Sequence, residues 1–316
     1  VTTTVIPNAC NGQCNATATA NVIGGSGNFS YLWTPGNQTT QTATGLCAGT
    51  YLVVVTDLTL GDQVPAFAIV TDPPPLVIFF SNTSPLCNGQ CNGSSSATVA
   101  GGTPGYTYSW LPGNQTTPVI TNQCAGTYTL TITDLNGCQI TQQSLITQPA
   151  ALLPNGTNTD VTCNNSCNGT ASVAPTGGTL PYSFLWSPGG QTTSSINGLC
   201  PGSYTCTVTD FNNCTSSYVA VITQPSPLQA SISSVNASCF GVCDGTATAN
   251  VSGGTGPYTY AWLPGGQTTQ TITNLCAGTY TVNITDANSC TVQQQVTITE
   301  PPQLLTAPSV TNVTCF

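Results

Sequence analysis

The stretch SCFGVCDGTATANVSGGTGPYTYAWLPGGQTT at Ser238–Thr269, followed by LCAGTYTVNITDANSC at Leu275–Cys290, decides the fold. Small apolar and polar residues alternate along GTATANVSGG, which is the pattern of a strand with one buried face. Tyr258, Tyr260 and Trp262 follow at a spacing of two, so their side chains share one face of a strand. The Pro-Gly turn LPGGQTT and an Asp-Asn turn separate further strands. The stretch therefore predicts a protein of short β-strands.

This stretch recurs along the whole chain with a period of about 76 residues, because Trp33, Trp110, Trp186 and Trp262 are 77, 76 and 76 residues apart. A proline, an aspartate and a tyrosine keep the same phase in every copy: Pro73, Pro149, Pro225, Pro301; Asp57, Asp134, Asp210, Asp286; Tyr51, Tyr128, Tyr204, Tyr280. We predict the domains 1–74, 75–150, 151–226 and 227–302, with 303–316 as the start of a fifth repeat. Both ends are expected to be cuts through a longer array.

Each copy has six or seven short strand patterns, and no segment keeps a helical period with caps. This number of strands in about 76 residues predicts an immunoglobulin-like β-sandwich. The tryptophan occupies the central-strand position of such a sandwich, and the tyrosine of AGTY occupies the position of a tyrosine corner. The links DPPPL and TEPPQ are short and proline-rich, so they should act as stiff spacers. The predicted fold class is all-β, a tandem array of four sandwiches that forms a rod.

Composition excludes several functions. The chain has no Lys, Arg, His or Met, and its 9 carboxylates give a net charge of −9. A neutral-pH general base of the usual kind, a Schiff base and a basic nucleic-acid surface are therefore missing. We expect no enzyme, no cofactor, no nucleic-acid partner and no direct membrane insertion. The 17 cysteines without histidine favour disulfides in an extracellular or cell-surface location.

The motifs CxxxC[DN]G, SGGTxPYxYxW and LCAGTYTVTVTDxNGC together resemble the SprB-type repeat, and the resemblance covers all four copies. Such repeats occur in Bacteroidota surface adhesins and in gliding-associated secreted proteins. The resemblance implies a secreted, surface-exposed tandem-repeat protein without catalytic residues.

The second and third cysteines of every copy are 33 residues apart. In a sandwich, the turn after the first strand and the turn before the tyrosine-corner strand lie at the same end. We therefore predict one disulfide inside each repeat: Cys14–Cys47, Cys91–Cys124, Cys167–Cys200 and Cys243–Cys276.

The first and fourth cysteines leave two alternatives open, because sequence cannot fix connectivity. The simpler pairing lies within one repeat: Cys87–Cys138, Cys163–Cys214 and Cys239–Cys290. This pairing is preferred, although it leaves Cys10 unpaired. The alternative is a set of bridges between neighbours, Cys10–Cys138, Cys87–Cys214 and Cys163–Cys290, because the fourth cysteine opens the last strand at the end that faces the preceding repeat. Counting from Cys10 places Gly61 at the position of the fourth cysteine in the first copy. Cys206 is interpreted as a buried free thiol.

Three further patterns have a structural and a functional interpretation. The cysteines fit disulfide bonds better than a zinc site or a redox site, because each copy has only one pair of closely spaced cysteines. The aromatic run could stack on sugars, but core packing explains its phase. The repeated aspartate could bind calcium, but one carboxylate per turn favours an Asx-turn cap.

Asn-x-Ser/Thr triplets are abundant, and a glycan coat would hydrate a surface with few charges. The glycosylation candidates are Asn37 and Asn114, in the turn PGNQTT, and then Asn15, Asn92 and Asn168. We expect a structural segment of a fibre or adhesin stalk, with covalent glycans and with self-association or head-to-tail continuation. The alternative is an adhesin module that binds glycans or surfaces through multivalent repeats.

Overall fold

The computed structural model describes residues 1–306 and contains only β-strands there. The first repeat has β1 (Thr2–Ile6), β2 (Ala16–Asn21), β3 (Phe29–Thr34), β4 (Thr42–Leu46), β5 (Gly49–Asp57) and β6 (Gln63–Val70). The second has β7 (Val77–Thr83), β8 (Gly93–Ala100), β9 (Thr107–Leu111), β10 (Val119–Gln123), β11 (Gly126–Thr133) and β12 (Gln139–Ile146). The third has β13 (Gly156–Thr159), β14 (Gly169–Val173), β15 (Ser183–Ser187), β16 (Ser195–Leu199), β17 (Gly202–Thr209) and β18 (Thr215–Ile222). The fourth has β19 (Gln229–Val235), β20 (Gly245–Ser252), β21 (Thr259–Leu263), β22 (Thr271–Leu275), β23 (Gly278–Thr285) and β24 (Thr291–Ile298).

Every repeat is a sandwich of two three-stranded antiparallel sheets. The first, second and fourth strands form one sheet, in the order β1-β2-β4 in the first repeat, and the third, fifth and sixth form the other, in the order β3-β5-β6. The all-β, immunoglobulin-like prediction is confirmed. The chain divides into two compact units, Val1–Ala151 and Leu152–Phe316, and each unit holds two sandwiches. No helix within residues 1–306 is long and apolar enough to cross a membrane.

A fully buried tryptophan lies at the centre of each sandwich. Trp33, Trp110, Trp186 and Trp262 have no exposed surface. In the fourth repeat, Val282 pairs with Trp262 across the sheet, and Ala247 on the facing sheet is also fully buried. Small alanines opposite a large indole allow two thin sheets to pack closely. Burial of one indole contributes roughly 4–6 kcal/mol.

The aromatic run of each repeat packs inward, as its spacing predicts. Tyr258 and Tyr260 are half-buried and pack against the core around Trp262. The hydroxyl of Tyr258 donates a hydrogen bond to the carbonyl oxygen of Gly253 at 2.7 Å. These rings therefore serve the core and the loop before β21.

A tyrosine corner is present in all four repeats, at the position predicted from AGTY. The hydroxyl of Tyr280 donates to the carbonyl oxygen of Cys276, four residues upstream, at 3.1 Å. The equivalent bonds of Tyr51, Tyr128 and Tyr204 measure 3.1, 2.9 and 3.1 Å. The corner fixes the crossing from the fourth strand, in one sheet, to the fifth strand, in the other.

Replacement of Tyr280 by Phe removes this bond while the ring stays. We expect the fourth repeat to lose about 1 kcal/mol of stability. Hydrogen exchange of β23 peptides, followed by mass spectrometry, measures the loss for this repeat alone. Tyr260→Phe is the matched control, since the Tyr260 hydroxyl has no hydrogen-bond partner within the described residues. Equal exchange rates in the two variants would show that the corner does not stabilise the repeat.

Candidate functional site at the repeat junctions

Disulfides staple each sandwich at one end. Four bonds join the second and third cysteines, each over a sequence separation of 33 residues: Cys14–Cys47, Cys91–Cys124, Cys167–Cys200 and Cys243–Cys276. In the first repeat, the staple ties the start of β2 to the crossing between β4 and β5, so it fixes that end of both sheets. A closed loop of this length stabilises a domain by about 3–4 kcal/mol.

A second kind of disulfide joins neighbouring repeats. Within the first unit, Cys10 of the first repeat is bonded to Cys138 of the second, with 5.6 Å between the Cα atoms. Within the second unit, Cys163 of the third repeat is bonded to Cys290 of the fourth, with 5.7 Å between the Cα atoms. These bonds have sequence separations of 128 and 127 and match the bridged alternative.

The structure contradicts the pairing of first and fourth cysteines within one repeat: Cys87–Cys138, Cys163–Cys214 and Cys239–Cys290. The reason is topological. The first cysteine follows the first strand, and the fourth precedes the last strand, so the two lie at opposite ends of one sandwich. Cys87 and Cys214 are also disulfide-bonded, and their mutual pairing stays a prediction. Cys239 is a free, exposed thiol, and Cys315 lies outside the described residues.

The assignment of Gly61 to the fourth-cysteine position is also wrong. In the second repeat, the amide of Asp134 donates to the carbonyl oxygen of Cys138 at 3.0 Å. In the first repeat, the amide of Asp57 donates instead to the carbonyl oxygen of Asp62 at 2.9 Å. The hairpin turn is one residue longer in the first repeat, so Asp62 occupies the place of the cysteine.

Hydrogen bonds flank the bridge between repeats. The side-chain amide of Asn136, two residues before Cys138, donates to the carbonyl oxygen of Ala9 at 3.2 Å. In the second unit, Asn288 donates in the same way to Thr162 at 3.1 Å. In the second repeat, the sulfur of Cys138 and the side-chain amide of Asn136 belong to one hairpin, and both bind the preceding repeat.

The loop between the first two cysteines of a repeat forms hydrogen bonds with the linker that follows the last strand of the same repeat. In CNGQC, the Asn11 side chain donates to the carbonyl oxygen of Pro73 at 3.0 Å, and the amide of Gly12 donates to a carboxylate oxygen of Asp72 at 2.8 Å. Asn88 and Asn164 make the equivalent bonds to Pro149 and Pro225, both at 3.0 Å. The loop thus fixes both the bridge and the linker.

The repeated aspartate positions the hairpin that carries the bridge. One carboxylate oxygen of Asp134 accepts from the amides of Asn136 at 3.0 Å and Cys138 at 2.8 Å, and the other accepts from Thr103 at 2.9 Å. Burial alone would raise the pKa of Asp134, but these donors outweigh burial and lower it. This geometry is that of an Asx-turn cap, as one alternative predicted.

Asp57 caps the longer turn of the first repeat. The hydroxyl and the amide of Ser26 donate to its carboxylate at 2.6 and 2.7 Å, and the amides of Thr59 and Leu60 also donate. The Ser26 bonds are the main cause that lowers the pKa of Asp57 from 3.8 to about 2. A carboxylate whose pKa is depressed in the folded state stabilises the fold at pH values above the ordinary pKa of the group.

We therefore expect the stability of the first repeat to fall as the pH drops from about 4 through about 2. Asp57→Asn should flatten this dependence and lower the urea midpoint at neutral pH. Urea unfolding of the first repeat across pH, read by hydrogen exchange, measures both effects. The control is Asp62→Asn, because the Asp62 side chain accepts no hydrogen bond among residues 1–306. An unchanged pH profile for Asp57→Asn would exclude the cap as its cause.

The free thiols within residues 1–306, Cys206 and Cys239, differ in environment, because Cys206 is buried and Cys239 is exposed. Cys206 is fully buried and lies opposite Trp186 across the sheet, as the interpretation of a small core residue predicted. Burial raises the pKa of its thiol, which makes it unreactive. Within residues 1–306, no group of three or more His, Cys, Asp or Glu side chains is arranged to hold a metal ion.

All five glycosylation candidates are exposed, but their side chains differ. The Asn15 side chain accepts from the amide of Ala9, and the Asn168 side chain donates to the hydroxyl of Thr162 at 2.8 Å. Asn92 donates to Gln90 at 3.3 Å. Asn37 and Asn114 lie in turns with φ of 50° and 52°, and their side-chain amides bind nothing within the described chain.

The comparisons with known proteins follow the repeat pattern. The family model described as SprB repeat matches residues 2–38, 80–115, 155–191 and 231–267. Each match begins near the first strand of one sandwich and ends in the Pro-Gly turn after the third. No curated protein is significantly similar to the chain.

Three solved structures represent the structural neighbours. The three N-terminal domains of the bacteriophage RB49 Highly Immunogenic Outer Capsid protein (Hoc) cover 71% of this chain and 98% of their own, at 16% identity and a TM-score of 0.39. Sidekick-1 immunoglobulin domains 1–5 cover 94% of this chain and 77% of their own, at 11% identity and a TM-score of 0.35. The N-terminal eight Ig domains of Down Syndrome Cell Adhesion Molecule (DSCAM) isoform 1.30.30 cover 95% and 60%, at 10% identity and a TM-score of 0.32.

Proposed function

We propose that this chain, in which four segments match the SprB repeat model, serves as a load-bearing segment of an extracellular fibre or adhesin stalk. A structural, extracellular role fits the tandem sandwiches and their disulfides. The observation that carries the proposal is the covalent bridge between neighbouring repeats, Cys10–Cys138 and Cys163–Cys290.

The bridges change the path of a pulling force. Tension that enters at Val1 reaches Cys10 and passes through the disulfide to Cys138, so it bypasses the chain between these cysteines, which have a sequence separation of 128. Cys163–Cys290, with a sequence separation of 127, shields a second stretch of chain in the same way. An unbridged sandwich extends by about 3.3–3.6 Å per residue once it unfolds. A bridged pair of sandwiches cannot lengthen in this way, even when its strands separate.

The interior staples have a different role in this mechanism. Cys14–Cys47 lies within the loop that the Cys10–Cys138 bridge closes. It stabilises a sandwich that is small for an independent core, but it carries no end-to-end load while the bridge is intact.

We expect the oxidised chain, pulled from both ends in a force spectrometer, to extend by less than about a quarter of its reduced length. Cys10→Ser/Cys138→Ser should lengthen the oxidised chain. Cys14→Ser/Cys47→Ser, the matched control, should leave that length unchanged. Equal extension with and without reductant would overturn the load-bearing role of the bridges. Electron microscopy of the native secreted material tests the fibre itself, because isolated globular particles would contradict it.

The proposal includes a covalent glycan coat. With only 9 carboxylates and no cation, the surface has few charged groups to hold water. Exposed turns with unengaged amides, at Asn37 and Asn114, are the best acceptors, because attachment there disturbs no hydrogen bond.

We expect native material to exceed the polypeptide mass of 32.2 kDa for this segment. In the producing organism, Asn37→Gln/Asn114→Gln should lower the excess mass more than Asn15→Gln/Asn92→Gln does. Intact-mass spectrometry measures the difference. A native mass equal to that of the bare polypeptide would end the glycan proposal.

A further inference from the structure

The outer face of one sheet in the first repeat is apolar. Along β5, Val53 and Val55 are buried in the core, so the alternate residues Leu52 and Val54 lie on the outer face of the sheet. The flanking strands β3 and β6 alternate in the same way. Their outward side chains include four apolar ones: Leu32, Pro65, Phe67 and Ile69. Together these six outward residues form the apolar face of the first repeat.

The side chains of the apolar face are neighbours in space. Leu52 pairs directly with Phe67 across the sheet, and Val54 pairs with Pro65 on one side and with Leu32 on the other. Directly paired side chains in an antiparallel sheet contact each other. Phe67 and Leu32 are nevertheless 65% and 45% exposed. The apolar face is therefore one continuous exposed surface and not a set of scattered side chains.

The corresponding face is mostly polar in the second and fourth repeats. The strand register shows that threonine and glutamine occupy the positions of Leu52 and Phe67 there, in the pairs Thr129–Gln143 and Thr281–Gln295. The third repeat is intermediate, because threonines on its central strand separate three outward apolar side chains: Leu185, Val219 and Val221. All four sandwiches have the same sheets, so the fold itself does not require apolar residues on this face.

Neighbouring repeats do not cover this face. The second repeat has a preceding repeat in the same unit, yet Leu111 and Leu145 on its corresponding face are 54% and 60% exposed. The contacts at that junction lie at the hairpin turn with Cys138 and Asn136, which is at one end of the sheet. The exposure of the apolar face therefore does not depend on which repeat precedes it.

Area and charge indicate the kind of partner that fits. The six side chains expose roughly 400–500 Å² of apolar surface, which is in the size range of patches that mark interaction sites. The face itself has no ionisable side chain, and the carboxylates nearest along these strands, Asp57, Asp62 and Asp72, lie at or beyond the strand ends. Two such faces would together bury roughly 800–1,000 Å², which is typical of a weak, transient interface.

We propose that the apolar face binds the same face of a second copy, so that two segments associate side by side. Two sheet faces pack about 10 Å apart with interdigitated side chains, as they do inside a sandwich. A two-fold axis uses one patch on both copies, so no second surface is needed. Copies with a charge of −9 can meet here because the contact itself is uncharged.

This inference rests on the proposed fibre role and names a surface through which two fibre segments associate. A contact of this size is weak between free segments. Stalks that stand close together on one surface have a high effective concentration, so a weak lateral contact is sufficient to pair them.

Sedimentation velocity of the chain at increasing concentration measures this association. All proteins carry Cys239→Ser/Cys315→Ser, so that disulfide-linked dimers through these two cysteines do not contribute. We expect a reversible equilibrium between monomer and dimer. Added sodium chloride should strengthen it, because salt screens the repulsion between two acidic copies.

The decisive variant is Leu52→Thr/Phe67→Gln. It should raise the dissociation constant at least about ten-fold, because burial of side chains of this size contributes more than a factor of ten. The second repeat already has this residue pair, as Thr129 and Gln143, so the first repeat should still fold. Hydrogen exchange of β5 and β6 peptides checks that it does.

Leu111→Thr/Leu145→Thr is the matched control, since it removes two exposed leucines from the corresponding face of the second repeat. It should leave the dissociation constant unchanged. A chain that stays monomeric at every concentration, or an equal effect of the two variants, would overturn the proposal. Binding of a monomeric chain to phosphatidylcholine vesicles through Leu52 and Phe67 would overturn it as well, because the occupant would then be lipid. The extension of single chains under force involves no second copy, so failure here is separable from failure of the fibre role.

Discussion

Each sandwich depends on an indole ring that water does not reach. The ring of Trp33 fills the space between two three-stranded sheets, and its N–H donates to the carbonyl oxygen of Thr40 at 2.9 Å. This single bond satisfies the buried donor and closes the Pro-Gly turn after β3. The alanines of the facing sheet are small because the indole is large. Because each repeat has few core residues, its hydrophobic core alone gives little stability, and the disulfide near the tyrosine corner adds to it.

Much of this architecture could be predicted from the sequence because it depends on local periodicity. The spacing of Tyr258, Tyr260 and Trp262 fixes a strand face, and the phase of Tyr280 fixes the corner. The 33-residue separation of Cys14 and Cys47 is the same in every copy, and sandwich topology brings their loops together. These features require no knowledge of neighbouring repeats.

The remaining features depend on contacts between repeats and on the length of one turn, and residue spacing alone does not give these. The fourth cysteine bonds to the preceding repeat because Cys138 and Cys87 lie at opposite ends of one sandwich. A count of residues from Cys10 led to Gly61 and not to Asp62. The hairpin turn after Asp57 has one extra residue, which shifts the position that corresponds to the fourth cysteine by one. The packing of the linker leucines was missed, although one signal was available: Leu76, Leu152 and Leu228 each follow a phase-matched proline by three residues. In the sequence these leucines resemble linker residues, and only their close approach to Gly102, Gly178 and Gly254 assigns them to the next sandwich.

The two kinds of disulfide also differ in how much of the chain must fold before each can form. Cys14 and Cys47 belong to one sandwich, so their bond can form as soon as that sandwich has folded. Cys10 needs Cys138, which lies 128 residues further along the chain in the next sandwich. While Cys10 is still a thiol, the bond of Cys14 to Cys47 prevents a wrong local bond between Cys10 and Cys14. The first and third repeats are therefore locked only after the second and fourth repeats have folded.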